Sequence, residues 1–372
     1  MKWNWQRLDW PKFVWEASRL SAAEEQFLLA AGVAIGAAGH LGKDDHKHLM
    51  IELMSGEAVT TSAIEGEILN RASVQSSIQR QLGLATDQRR LTLAEQGVAE
   101  MMVDLYESFA EPLSDDMLFQ WHKMLTLGRR DLVDIGRYRT GKEPMQIISG
   151  AVGAERVHFE APPSKRVPAE MKRFIAWFKR TGPGDKEPLP AITRAGTAHL
   201  YFESIHPFED GNGRIGRAIA EKAMTQSFGQ PVVLALASAI LAHQKDYYAA
   251  LEKANRQNEI TEWLAWFSRI ALEAQRRSIA QVEFILAKSK LLGQLRGQIN
   301  ERQQKALLRM FREGPEGFKG GLSAGNYSAI TGAPPATTTR DLADLTEKGV
   351  LIRSGERRHA RYALNLKAAD DR

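Results

Sequence analysis

Twelve consecutive residues, His206-Pro207-Phe208-Glu209-Asp210-Gly211-Asn212-Gly213-Arg214-Ile215-Gly216-Arg217, concentrate the chemistry of this chain. A histidine takes up a proton near neutral pH. Asp210 offers a carboxylate to a hard cation, and one protein carboxylate plus phosphate oxygens and water is the usual environment of Mg²⁺. Gly211, Asn212 and Gly213 form a turn that, leading into a helix, presents backbone N–H groups to an anion. Arg214 and Arg217, three apart, project from one helix face and clamp phosphate oxygens. Free N–H groups, the positive end of the helix dipole and two guanidinium groups thus converge, which suits a triphosphate. At the other end of the loop His206 is placed to accept a proton from an attacking hydroxyl, and Pro207 and Phe208 hold the loop against the core.

A helix is expected on each side of this run. Ala195, Ala198, Phe202 and Ile205 share one face of a helix that delivers the chain to His206. Beyond Gly213, Ile215, Ile219 and Ala223 at i, i+4, i+8 form the buried side of a second. Residues 20–110 show several amphipathic stretches with short breaks. Gln146-Ile147-Ile148 and Arg156-Val157-His158-Phe159 flank a Gly-rich segment and read as a β-hairpin, closed by Pro162-Pro163. Helices resume at about 168–181, again after the loop Gly182–Pro190, and as one or two long helices at about 262–294. A boundary is expected within Gln294–Gln304. Helices at Gln303–Arg312, near Tyr327–Thr331 and at Pro335–Lys348 then precede strands at Val350–Ile352 and around Tyr362–Leu364, the order of a winged helix-turn-helix.

Composition narrows the class. The chain has 372 residues, 43% of them hydrophobic, and carries a mild net charge of +5. That is ample for a buried core in two or three domains, and it permits an acidic partner without requiring one. The absence of cysteine excludes disulfides, zinc ribbons, thiolate nucleophiles and iron–sulfur clusters. The longest apolar run, Phe27–Gly39, is shorter than the roughly 18–20 residues a bilayer requires, and it follows Glu24 and Glu25 rather than a basic segment. A soluble, cytoplasmic protein with no membrane partner is expected. Trp3, Trp5, Trp10, Phe13 and Trp15 crowd the start, either to anchor a terminal segment on the body or to meet a partner chain.

The run His206–Arg217 resembles the Fic family motif, HPFx(D/E)GNGRxxR, at every defined position. The resemblance implies an all-helical core with a small hairpin flap. It also implies transfer of AMP from ATP to a Ser, Thr or Tyr hydroxyl of a target protein. His206 would be the general base, and Asp210 would carry Mg²⁺ against the α- and β-phosphates. Gly211, Asn212 and Gly213 would cradle the anion, Arg217 would hold the γ-phosphate, and Arg214 would assist or tie down the loop. The hairpin at about 146–159, with Ile147, Ile148, Val157 and Phe159, would be the flap that pairs its edge with an extended target segment; a purely structural excursion is the other reading.

Thr61-Ser62-Ala63-Ile64-Glu65-Gly66 is similar to a second pattern of that family, (S/T)xxxE(G/N), carried on an inhibitory helix, here at about 57–70. By that resemblance Glu65 would bridge Arg217 and exclude the γ-phosphate; in some relatives the same glutamate positions water to remove AMP. A surface or capping glutamate is the alternative. The segment from Trp3 to Gly66 resembles a domain of unknown function that often precedes Fic cores. Tyr248, within Asp246-Tyr247-Tyr248-Ala249-Ala250-Leu251, either stacks on the adenine or fills the core.

The expected fold is mainly α: residues 1–110 an N-terminal helical region, 111–290 the Fic core with its flap, and 291–372 a winged helix-turn-helix domain. Residues 301–372 hold thirteen Lys/Arg against nine Asp/Glu. Thr337–Arg340 open the recognition helix, and Arg353, Arg357, Arg358 and Arg361 surround the wing, an arrangement for duplex DNA or for a protein contact. Two functions compete. One is an autoinhibited protein adenylyltransferase using ATP and Mg²⁺, acting on a target or on itself. The other is a DNA-binding regulator whose core senses nucleotide without turnover. Transfer of UMP and association into a homodimer stay open.

Overall fold

The computed structural model describes residues 2–39, 41–84, 89–150, 156–314, 317–318 and 320–366. Helices dominate among them. In chain order they are α1 (Ser21–Gly39), α2 (Lys43–Ile64), α3 (Arg71–Gln81), α4 (Leu93–Glu107) and α5 (Asp115–Leu125). The hairpin β1 (Gln146–Ser149) and β2 (Arg156–Glu160) follows. Then come α6 (Val167–Arg180), α7 (Ala191–Ile205), α8 (Asn212–Phe228), α9 (Leu236–Ala242), α10 (Gln244–Ala254) and α11 (Thr261–Gln294). The chain ends with α12 (Glu301–Phe311), α13 (Ala324–Thr331), α14 (Pro335–Glu347) and the hairpin β3 (Leu351–Ser354) and β4 (Arg361–Leu364). No described helix is long and apolar enough to cross a membrane.

Local chemistry sets many of these boundaries. Thr92 opens α4 through a reciprocal capping box with Glu95, and Asn300 opens α12 through one with Gln303. Asn70 and Ser114 cap α3 and α5 with their side chains. The start of α7 has no local side-chain cap; Glu24 reaches across from α1 and accepts from the N–H groups of Ile192 and Thr193 at 3.0 and 2.7 Å. The α2 helix stops at Ile64, short of the expected 57–70 span, because Gly66 turns the backbone left-handed at φ +82°. Glu65 therefore lies in the turn that closes the helix and not within it.

The chain divides into two compact units, residues 1–33 with 50–278, and residues 34–49 with 279–372. In the first, α7 and α8 lie at the centre. Every residue of α7 is buried, and α8 is buried from Arg214 to Thr225. The one-sided pattern expected of Ile215, Ile219 and Ala223 is thus corrected: α4, α5, α7 and α9 pack around α8 on several sides. The tryptophans at the start anchor onto this body. Trp3, Trp5 and Trp10 are buried; Trp5 Nε1 donates to Glu160 O at 2.7 Å, and Trp10 Nε1 donates to Glu170 Oε2 at 3.0 Å.

In the second unit Leu307, Met310, Leu322, Tyr327, Leu342, Leu345 and Val350 form the core beneath α12, α13, α14 and the β3–β4 hairpin. Asp341 ties these helices together, accepting from Arg302, Tyr327 and Asn300.

Candidate active site

The loop between α7 and α8 is built between two left-handed residues. His206 ends α7 at φ +49°, and Gly211 caps α8 at φ +82°. A non-glycine residue in that region is strained unless its surroundings hold it. Here the His206 N–H donates to Phe202 O at 2.9 Å, and its carbonyl accepts from Arg139 Nε at 2.8 Å. Burial lowers the Arg139 pKa to about 10, still cationic at neutral pH. Asn212 closes the loop on itself, accepting from Phe208 N at 2.9 Å and donating to Phe208 O at 2.8 Å. Its side chain is thus spent on the shape of the turn. Phe208 is fully buried and stacks on His122, with ring centroids 4.3 Å apart and 8° between planes. Burial holds the His122 pKa down to about 4, so that ring is neutral.

This frame gathers the motif's polar groups at the start of α8. Arg217 is almost wholly buried, yet its Nη2 lies 2.7 Å from Glu65 Oε1. Thr61 accepts from the same guanidinium twice, through Oγ1 to Nε at 2.7 Å and through its carbonyl to Nη2 at 2.9 Å. Burial opposes the arginine's charge; the Glu65 carboxylate, by its charge and its hydrogen bond, outweighs it and keeps the group cationic. Gly213 leaves the room for this pair, because a Cβ there would overlap the Glu65 carboxylate. An acidic side chain therefore rests on the bare Gly213 in the first turn of α8.

A second carboxylate, Glu67, pairs with Arg214, Oε2 to Nη1 at 2.9 Å. Sequence spacing gave no sign of it. Asp210 completes the group. Its Oδ1 accepts from Gly211 N at 2.6 Å and lies 3.6 Å from Arg214 Nη2, and its Oδ2 accepts from Arg129 Nη1 at 2.5 Å. Burial pushes the Asp210 pKa up, but Arg214, Arg129 and the Gly211 N–H bring it below the ordinary carboxylate value. Among the described residues no cluster of three or more His, Asp or Glu gathers around it. An ionised, half-exposed single carboxylate beside a phosphate-type pocket fits a cation held mainly by substrate oxygens, provided Arg129 moves aside.

The histidine end looks different. His206 is nearly buried, and its Nδ1 faces Glu203 Oε2 at 3.6 Å. Tyr248 is half-exposed and donates its hydroxyl to Ile64 O at 3.1 Å, alongside Gln244 Nε2 at 2.9 Å. In this arrangement it supports the turn that carries Glu65. In the flap, Ile147, Ile148 and Val157 are exposed, with a bulge in register between Ile147 and Ile148. Phe159 departs from the expected docking set. It is buried against Trp3, across the register shift from exposed Val157, with its ring 6.5 Å from that of His206. Residues 151–155, within the expected hairpin, lie outside the described residues, as does the side chain of Arg358.

Glu57 and Glu221 meet behind the arginines. Glu57, on α2, accepts from Ala237 N at 2.6 Å and Ser238 N at 3.3 Å. Burial raises its pKa to about 7 and raises that of Glu221 well above the carboxylate range.

A family model described as "Fic/DOC family" matches residues 112–224, and one described as "Domain of unknown function (DUF4172)" matches residues 3–84. Protein adenylyltransferase fic-1 of Caenorhabditis elegans is 30% identical over 145 residues, which is 39% of this chain and 25% of that protein. The chain thus spans about a quarter of the length of that curated relative. A Fic family protein from Desulfovibrio desulfuricans superposes with a TM-score of 0.52 at 22% identity, covering 92% of this chain and 95% of its own. A Fic domain containing signaling protein from Bacteroides thetaiotaomicron superposes at 0.53 with 18% identity, covering 70% and 97%. The mainly helical fold, the matched family model and the loop built between His206 and Gly211 agree: this chain contains a Fic/DOC family domain.

Proposed function

We propose that this protein is an adenylyltransferase that moves AMP from ATP to a Ser, Thr or Tyr hydroxyl of a target protein, and that Glu65 holds it inactive. The observation that carries this reading is the Glu65 carboxylate bonded to Arg217 and resting on Gly213, where a substrate phosphate would bind. With Glu65 withdrawn, Arg217 receives the γ-phosphate, and the N–H groups at the start of α8 meet the phosphates nearer the base. Mg²⁺, held by Asp210, would neutralise charge on the α- and β-phosphates. His206 Nε2 takes the proton as the target hydroxyl oxygen bonds to the α-phosphorus. The bond from that phosphorus to the bridging oxygen breaks, and pyrophosphate leaves. Positioning and charge stabilisation supply most of the rate. The edge of β1, with Ile147 and Ile148 exposed, would pair with the target backbone.

The test is incubation with labelled ATP and Mg²⁺, native chain against Glu65→Gly, with mass spectrometry of a treated lysate. Incorporation of AMP by the variant, at a named hydroxyl, supports the reading. An absence of label with both chains removes it.

Within the same reading, residues 291–372 form a winged helix, supported by the order α12, α13, α14, β3, β4. Exposed Thr339 and Arg340 on α14 and Arg353 on β3 favour duplex DNA as its partner. Binding that weakens steeply with salt would bear this out; salt-independent binding or none would discard it.

A further inference from the structure

The base of the proposed transfer needs a defined tautomer, and the neighbour able to set it is Glu203. This residue is on α7, one turn before His206, with a side chain only 8% exposed. His206 Nδ1 and Glu203 Oε1 have no hydrogen-bond partner among the described residues. The carboxylate has little freedom to leave. A Cβ at Gly216 on α8 would come within 2.6 Å of Glu203 Oε1 and 3.2 Å of His199 Nδ1, so α8 presses directly on this pair. The charged and titratable groups facing Glu203 are His206 and His199 from α7, Arg217 from α8, and Tyr247 and Tyr248 from α10. His199 is engaged through Nε2 with the Tyr247 hydroxyl at 2.8 Å, and its Nδ1, also without a partner among the described residues, lies on the Gly216 side with Glu203 Oε1, while Oε2 is the oxygen that faces His206. The left-handed backbone at His206, held by Arg139 and Phe202, fixes the ring's origin.

We infer that Glu203 is a positioning residue for the base. Its carboxylate takes the Nδ1–H of His206, leaves Nε2 as the acceptor, and stabilises the imidazolium formed when the hydroxyl proton arrives. The proton moves from the target oxygen to Nε2, Nδ1 keeps its own, and Glu203 stays ionised. The 3.6 Å separation is an ion-pair distance that must shorten to about 2.8 Å for a charge-assisted hydrogen bond, a contraction usual when substrate enters. This inference rests on His206 acting as the base in the proposed function.

The experiment compares Glu203→Gln and Glu203→Asp in the Glu65→Gly chain, with ¹⁵N-labelled histidine. The His206 ring signals, identified by their loss in His206→Ala, are followed from about pH 5 to 9. The rate of AMP transfer is measured over a range of ATP concentrations. For Glu203→Gln we expect the imidazolium signal to survive only to lower pH, and kcat to fall about tenfold or more with KM for ATP unchanged. Glu203→Asp should recover part of both. Ring signals that titrate identically in the parent and Glu203→Gln overturn the inference. If no chain transfers AMP, the adenylyltransferase reading fails while the ring signals still judge Glu203. Should Glu203→Gln not fold, Glu203→Asp carries the test: its shorter carboxylate must move the ring titration in the same direction, and no movement overturns the inference.

Discussion

The two ends of the His206–Arg217 run differ in what fills them. At the arginine end the chain supplies its own anions: Glu65 on Arg217, and Glu67 with Asp210 on Arg214. At the histidine end His206 Nδ1 faces Glu203 Oε2 at 3.6 Å, and neither His206 Nδ1 nor Glu203 Oε1 has a hydrogen-bond partner among the described residues. A buried guanidinium left alone is unstable, so the cations that would bind phosphate need some counter-charge when no nucleotide is present. The Glu65 carboxylate is thus also what lets this fold keep Arg217 buried.

The sharpest test of the contrast is at the histidine end. His206→Ala in the Glu65→Gly chain should cut AMP incorporation by about 10²–10⁴-fold, read by label from ATP; full transfer would deny that end any part in the chemistry. Glu65→Gly alone should raise incorporation by about tenfold or more, because the competent state ceases to be the minor one. An unchanged rate would mean the arginine end is not closed by its own acid. Adding Glu67→Ala should contribute a further gain of at most about fivefold, as expected for a half-exposed pair worth about 0.2–1 kcal/mol. A gain as large as that from Glu65→Gly would show the two arginines to be equally restrained.

The last prediction concerns what anchors α2. The Glu57 pKa is raised in the fold, so its contribution to stability is fully present below the ordinary carboxyl range and is lost as pH rises through about 7. The melting temperature by calorimetry should fall over that interval, and Glu57→Gln should flatten the decline. An equal decline in the variant would place the pH sensitivity elsewhere.

How legible this site was depended on sequence distance. Residues His206 to Arg217 lie in one run, and their offsets fix a loop followed by a helix start, so their gathering at one place could be read directly. Glu65 is 152 residues from Arg217 and carries no spacing signal of its own; only resemblance to a family pattern singled it out. Glu67, Arg129 and Glu57 were missed because a lone charged residue looks the same whether it meets water or a distant helix. Most helices were placed by periodicity, but α8 was read as one-sided, since its polar residues find partners inside the protein. Asn212 is an instance, spent on Phe208. Phe159 was grouped with its exposed neighbours because the run Arg156–Phe159 does not reveal which strand face Trp3 covers.

Gly213 carries one more consequence, for how this protein could change over generations. The bare backbone that would admit a phosphate in the proposed transfer is the same surface on which Glu65 rests, so any side chain there would obstruct both. Under the proposed function, substitutions that release the restraint fall in the segment from Thr61 to Glu67 and in the residues that hold its turn, Gln244 and Tyr248, rather than at Gly213. Lineages that gain or lose the restraint should diverge at those positions while His206–Arg217 stays fixed.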